Sequence, residues 1–357
     1  MKKYRKIVLY YFTGTGNSLK AARWIGEEAK RLSIEFALHP IDKNYPINAE
    51  TRDDLTLVGF LAPTHGFNIA PAMLKFITKF PRAKNVDAFI LNTRAGLKIF
   101  KLFIPGLSGL AQILPMMILK LNGFNIVGGL PLDMPSNWLL LHLGLNEHTV
   151  NSIVNRCERI TILFIRKILN GQKVYFKMLI TLPIDLTLAP IAFLYYIYGR
   201  FILAKTMIYT HKCNDCKVCI DNCPVGAIKE VNNRPYWTYS CESCMRCVNI
   251  CPHIAIQTSQ PILLIILIVP GILFNYMILN YSFITNLFDF RYGLSILSMV
   301  LTIVELYVLY LIIQRLLKVK IISKIFHYTS LSAYWRRYRA PGITLKDFKY
   351  PLKRTRE

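Results

Sequence analysis

Acidic side chains are scarce. The 357 residues carry 20 Asp and Glu against 44 Lys and Arg, a formal charge of +24. An excess of that sign suits an anionic membrane surface or a nucleic acid. No recognisable nucleic-acid motif is present, which sets nucleic acid aside as a partner. Paired carboxylates and any Ser-His-Asp set are missing too, so hydrolysis has no candidate and no catalytic residue is assigned. An export signal is also lacking. The basic start Met1–Lys6 imitates one, but the apolar run behind it, Ile7–Phe12, is shorter than the ~7–15 residues of an export core and enters a glycine-rich loop. The start of the chain therefore reads as a first strand, and the compartment as the reducing cytoplasm. There the nine cysteines are free to bind metal rather than form disulfides.

What is present is apolar: 53% of residues, with a mean hydropathy of +0.34. From residue 5 to about 170, short apolar runs alternate with helical patterns. The runs Lys6–Phe12, Ile34–Leu38, Leu55–Ala62, Val86–Asn92 and Phe124–Leu130 predict strands; Ser18–Leu32, Ala70–Phe80 and Glu147–Asn170 predict helices. That alternation predicts an α/β doubly wound parallel sheet over 1–170. Residues 171–207 form an apolar linker broken by Pro183 and Pro190. A cysteine module follows over 208–257, then an apolar stretch over 258–314 and a basic tail over 315–357.

The module reads Cys213-x2-Cys216-x2-Cys219-x3-Cys223-Pro224 and then, 28 residues on, Cys241-x2-Cys244-x2-Cys247-x3-Cys251-Pro252. Three closely spaced thiolates wrap three corners of a cubane, and the cysteine ahead of proline serves the other cluster of a pair. The crossing predicts Cys213, Cys216, Cys219 and Cys251 on one [4Fe-4S] cluster, and Cys223, Cys241, Cys244 and Cys247 on a second. Zinc is the alternative, but a closed four-ligand site does not call for this run twice. The repeat resembles bacterial 2[4Fe-4S] ferredoxins over the whole module, which implies their α+β fold. Cys157, the ninth, falls in the predicted Glu147–Asn170 helix and reads as a buried structural thiol.

Behind the first strand comes Thr13-Gly14-Thr15-Gly16-Asn17-Ser18, then a helix. A strand-to-helix turn rich in glycine and hydroxyls is an anion cradle. It matches neither Walker A nor a dinucleotide GxGxxG. It resembles the FMN phosphate loop of flavodoxins, which implies FMN held by these six residues. The resemblance also implies that the loops after strands three and four flank the flavin ring. Here those are Thr64, His65, Gly66 and Phe67, and Thr93, Arg94, Ala95 and Gly96. Phe67 or Trp138 would stack on the ring or pack within its own loop; His65 is a proton donor or an ordinary turn histidine. Met134-Pro135-Ser136-Asn137 follows the fifth strand. With the cysteines, it resembles a family of flavodoxin–ferredoxin fusion proteins over about 1–257. The chain departs from that family at Leu102–Leu119, which is uncharged here.

Nothing is charged from Pro261 to Phe288, nor from Tyr292 to Ile313 except Glu305. Pro261–Leu279 and Tyr292–Ile313 are each about the ~20 residues that cross a bilayer. They predict a transmembrane hairpin. The tail beyond it holds twelve Lys and Arg against Asp347 and Glu357, which places both hairpin ends in the cytoplasm. Met178–Tyr198, with Asp185 and two prolines, suits an element lying in the interface. Glu305 is either functional or protonated and bonded to a neighbour.

These expectations make the chain a membrane-anchored electron-transfer protein with FMN and two [4Fe-4S] clusters. Its domains and both ends would lie on the cytoplasmic side of the cytoplasmic membrane. Its partner would be a redox protein or a membrane quinone. Two other readings stand beside it. One is a flavin-dependent reductase of a small molecule such as a quinone, which needs an open pocket over the flavin. The other is a redox sensor or assembly factor.

Overall fold

The computed structural model describes residues 4–42, 55–279, 304–305 and 307–348, without the side chains of 270–279. The outer loop of the expected hairpin and the start of its second span lie outside the described residues.

One sheet holds seven strands: β1 (Lys6–Tyr11), β2 (Glu35–Pro40), β3 (Thr56–His65), β4 (Asn68–Ile69), β5 (Asp87–Ile99), β6 (Leu102–Ile104) and β7 (Asn125–Pro135). Five of them run parallel in the order β2-β1-β3-β5-β7. Counted without the short antiparallel β4 and β6, that order is 2-1-3-4-5, the flavodoxin-like arrangement. Strands buried on both faces need cover on both. α1 (Asn17–Arg31) and α4 (Glu147–Leu169) close one face over Leu9, Leu57 and Phe89. α2 (Pro71–Thr78) and α3 (Ile113–Leu121) close the other over Val8, Val58 and Ile90. Each such side chain contributes about 1.5–3 kcal/mol by leaving water.

β5 and β7 run further than their apolar runs suggest. The parallel ladder continues from Thr93 opposite Leu132 to Gly96 opposite Pro135. Polar residues stay in it because Arg94 and Asp133 stand opposite one another and form a buried ion pair at 2.7 Å. Beyond it, β5 and β6 project as a hairpin whose tip, Phe100, is 94% exposed.

Residues 171–207 are helical and packed against the sheet domain. α5 (Phe176–Thr187) leads to α6 (Ala189–Leu194), a π-helical turn at Tyr195–Gly199 and α7 (Arg200–Lys205). The two stretches meet at 74° between Thr187 and Ala189. Their pattern is inverted. In α5 the buried residue is Asp185, 3% exposed, while Phe176 is 73% exposed and Ile180 and Ile184 also face out. Asp185 Oδ1 accepts from the backbone N–H of Ser108 and Gly109, both at 2.8 Å, and Thr181 Oγ1 donates to Oδ2.

The cysteine module is framed by β8 (Met207–Tyr209) paired with β11 (Ile256–Thr258), and by the hairpin β9 (Ile228–Val231) with β10 (Arg234–Trp237). Short helices α8 (Val218–Asp221) and α9 (Arg246–Ile250) occupy equivalent places in its halves. α10 follows as Gln260–Leu279, then α11 (Tyr307–Leu316) and α12 (Lys320–Thr329). Over the described side chains the apolar part of α10 is Gln260–Val269. Among the described residues no single helix is long and apolar enough to cross a membrane; the bent pair of α5 with Ala189–Lys205 passes that test only together.

The tail does not hang free. Ser332 Oγ donates to Gln257 Oε1, Tyr338 N–H donates to Asn249 Oδ1, and Ala340 N–H donates to Thr15 O. It thus lies across both the cysteine module and the sheet domain.

Candidate functional site

β1 ends at Tyr11 and the chain turns through 12–16 into α1. Gly16 caps the helix at φ +104°, a backbone state that favours glycine. No side chain caps α1 and its first turn holds no acid, so its N-terminal N–H groups and dipole remain available to an anion. The loop is braced from both sides. Gly16 N–H donates to Thr13 Oγ1 at 3.0 Å, Asn137 Nδ2 donates to Thr15 Oγ1 at 2.9 Å, and Asn17 Nδ2 donates to Pro135 O at 3.0 Å. Ser18 Oγ and Thr93 Oγ1 share a hydrogen bond of 3.3 Å.

A cavity of about 110 Å³ opens over this loop. Thr13, Gly14, Thr15, Asn17 and Ser18 line it, with Thr64, His65 and Gly66 from the end of β3, and Thr93, Arg94 and Ala95 from β5. Three of the candidate residues lie elsewhere. Gly16 backs onto Ile343 and Ala340 of the tail, Gly96 onto Asp133, and Phe67 onto the turn at Gly109. Arg94 reaches the wall, but its guanidinium is bound to Asp133 and to Ser108 Oγ.

The other wall comes from residues that no flavin motif marks: Tyr195 of the π-helical turn, His142, and Ser243 and Met245 of the second cysteine run. The Tyr195 ring lies so close on Gly66 that a Cβ there would collide with it. Burial holds the Tyr195 phenol well above its ordinary pKa. Burial likewise lowers His65 to about 4, so its imidazole is neutral at neutral pH.

The cysteine run touches the phosphate-type loop directly. A Cβ on Gly14 would collide with Cys244 O. Arg246, buried between Cys244 and Cys247 in sequence, donates from Nε to Gly14 O at 2.9 Å, from Nη2 to Thr13 O at 2.5 Å and from Nη1 to Asn222 O at 3.0 Å. A peptide's N–H points opposite to its C=O. The N–H groups of Gly14 and Thr15 therefore point away from Arg246. The tail holds the same segment through Ala340, through Tyr338 Oη on Asn17 Oδ1 at 2.5 Å, and through the ion pair of Arg23 with Asp347.

These residues fit a phosphate-bearing polar ligand. Among the described residues, the buried atoms His65 Nδ1, His142 Nδ1 and Ser243 Oγ have no hydrogen-bond partner, and all three residues line the cavity. The donor set suits FMN. The volume is below the ~300–1,000 Å³ of ligand pockets, and the Tyr195 and Trp138 rings lie in its lining.

In the cysteine module the 28-residue repeat is written into the backbone. Asp215 and Ser243, Lys217 and Met245, and Gly226 and Ile254 are pairs 28 apart, each with positive φ. Ala227 N–H donates to Cys223 Sγ at 3.2 Å, and Ala255 N–H to Cys251 Sγ at 3.3 Å. Cys213, Cys216, Cys219 and Cys251 line one small cavity. Burial first, then neighbouring Cys251, Cys213 and Cys216, raise the Cys219 thiol to about 12. The second set is deeper: Cys223, Cys241 and Cys247 are buried, whereas Cys216 is exposed. Burial, and then Cys244 and Cys223 among its neighbours, push the Cys241 thiol up. Among the described residues no three His, Cys, Asp or Glu converge to hold a single metal ion. The spread of Cys213, Cys216, Cys219 and Cys251 around a space is what a cubane asks of its ligands. Cys157 lies buried in α4, donates to Asp133 O and is raised to about 12, chiefly by burial.

Residues 206–229 match the 4Fe-4S binding domain family, which supports an iron–sulfur centre at the first run and a role in electron transfer. A comparison with curated proteins returns no match. Among solved structures, the chain is similar to oxidised flavodoxin 1 from Bacillus cereus at 16% identity and TM-score 0.32, over 45% of this chain and 97% of that one. An archaeal flavodoxin gives 14% identity and TM-score 0.30 over 45% and 97%. The flavodiiron protein of Giardia intestinalis gives 12% and TM-score 0.27 over 46% and 38%. The flavodoxin-like assignment rests on strand order and register, to which likenesses at these scores add nothing.

Proposed function

We propose that the chain is a membrane-anchored electron-transfer protein that holds FMN in the cleft and two [4Fe-4S] clusters in the cysteine module. A flavin exchanges two electrons and a cubane one, and that is the chemistry these groups supply when bound. The observation that carries the reading is the shared wall. Ser243 and Met245 of the second cysteine run line the same cavity as Thr13–Ser18, and Gly14 rests on Cys244. The chain's own residues do the positioning: the 13–18 loop binds phosphate, Arg246 fixes that loop to the cysteines, and Tyr195 and Trp138 shut out water. Two clusters are supported by a second run whose backbone repeats the first. The narrow cleft favours a relay over a reductase that admits a second substrate.

The membrane part of the proposal rests on the uncharged stretch at 261–288 and on the outward apolar faces of α5 and α6. Anaerobic purification followed by flavin, iron and sulfide assay is the test. We expect one FMN and about eight irons per chain. A flavin-free protein overturns the FMN assignment, and about four irons overturns the second cluster.

A further inference from the structure

Ser243 and Met245 line the flavin cleft, but their neighbours Ser240 and Glu242 line a different and larger groove of about 1010 Å³. It lies where three parts of the chain meet: α2, the turn and helix at Leu110 and Leu114, and the bent helices at Phe193, Tyr196 and Arg200. Its volume is at the upper end of the ~300–1,000 Å³ of ligand pockets. Next to Cys241 in sequence is Glu242, 8% exposed, with Arg200 and Lys75 also in the lining; the buried Glu242 Oε2 and Arg200 Nε have no hydrogen-bond partner among the described residues. The Arg200 guanidinium is fixed over the rings of Tyr196 and Phe201, at 4.8 and 4.5 Å. The apolar lining includes Leu110, Leu114 and Phe193. Phe193 is largely exposed and continues onto the apolar outer face of α6 with Ile191 and Leu194.

Such a groove selects its occupant. A buried polar group without a partner is costly, so the ligand must bring hydrogen-bonding atoms to Arg200 and Glu242. A fatty-acid carboxylate would satisfy Arg200 and Lys75 but bring no donor to Glu242 Oε2. A neutral ring with oxygens satisfies both Arg200 and Glu242. The groove also abuts the redox module, for Pro224 follows Cys223 and Glu242 follows Cys241. We infer that this groove binds a lipid-soluble quinone, with Arg200 donating to a carbonyl of the oxidised form and Glu242 accepting from a hydroxyl of the reduced form. The isoprenoid tail leaves along Leu110, Leu114 and Phe193, from the side where α6 presents its apolar face. The choice of a quinone rests on reading Cys223 and Cys241 as cluster ligands.

The test uses the full chain, purified anaerobically in detergent and titrated with a short-tailed ubiquinone analogue while tryptophan fluorescence is followed. Quenching is expected to saturate at one quinone per chain. Arg200→Leu, which removes the donor, and Leu114→Trp, which fills the groove, are each expected to weaken binding about tenfold or more, with flavin and iron contents unchanged. Wild-type affinity in both variants overturns the site. Equal displacement by oleate overturns the quinone and makes the occupant an acyl chain. Competition by added FMN moves the quinone to the flavin cleft and overturns the groove. Absent iron with quinone binding intact overturns the cluster reading alone, whereas full iron with no quinone binding overturns the groove alone.

Discussion

Arg246 is a buried guanidinium whose hydrogen bonds go to backbone carbonyls, those of Thr13, Gly14 and Asn222, and its face lies 4.4 Å from the ring of Phe348. Its planar fork serves acceptors on two domains at once, which a lysine's point charge does not reproduce. Arg246→Gln is expected to cost about 2–3 kcal/mol in urea unfolding, the value of hydrogen bonds to a charged group, and Arg246→Lys to recover little of it. The same variants should retain less flavin on gel filtration. A loss of stability without loss of flavin would mean that Arg246 serves the cysteine module only. Nothing in the sequence announces this residue. The glycines and hydroxyls at 13–18 and the cysteine spacing are legible because the chemistry demands those residue types at those positions. Arg246 occupies a spacer position, where any residue keeps the cysteine spacing, and two of its three carbonyl partners lie more than two hundred residues away.

The strand starts of the first domain and α1, α2 and α4 are readable within a few residues, since local apolar period and tertiary burial agree there, whereas β5 and β7 run on past their apolar runs and α3 carries no such mark. α5 is the element where they disagree. Its composition suggests an interfacial segment, and the structure turns that composition inside out: Asp185 faces the domain and Phe176, Ile180 and Ile184 face away. A period count cannot tell which side of an apolar helix will be covered. The anchor is the Asp185 carboxylate on the N–H groups of Ser108 and Gly109, beside the Asn92 and Arg94 hydrogen bonds to Ser108 Oγ. Asp185→Leu leaves two buried N–H groups unpaired. It should lower stability by about 2–4 kcal/mol and, in limited proteolysis, expose the chain near 105–112. Unchanged cleavage there would show that α5 is held by its apolar contacts instead.

At the scale of the molecule, the run at 315–357 reads in sequence as a basic tail on the cytoplasmic side. The structure lays Arg337 against Ile256 O and Gln257 Oε1, and seats Tyr338 and Ala340 on the first loop. Those contacts require residue 340 to be on the same side of any membrane as the sheet domain and the cysteines. Any membrane crossings between Thr258 and Ala340 must then be even in number, zero included. A reporter fused at Glu357 is expected to read as cytoplasmic in cells; an external reading would be incompatible with the contact of Ala340 on Thr15.

Gly14 rests on Cys244, and Arg246 holds the carbonyls on either side of it. The loop at 13–18 thus takes its backing from residues more than two hundred positions later in the chain. Under the proposed function, loss of the metal centre at the second cysteine run is expected to loosen the grip on FMN as well, read as flavin released when iron is chelated.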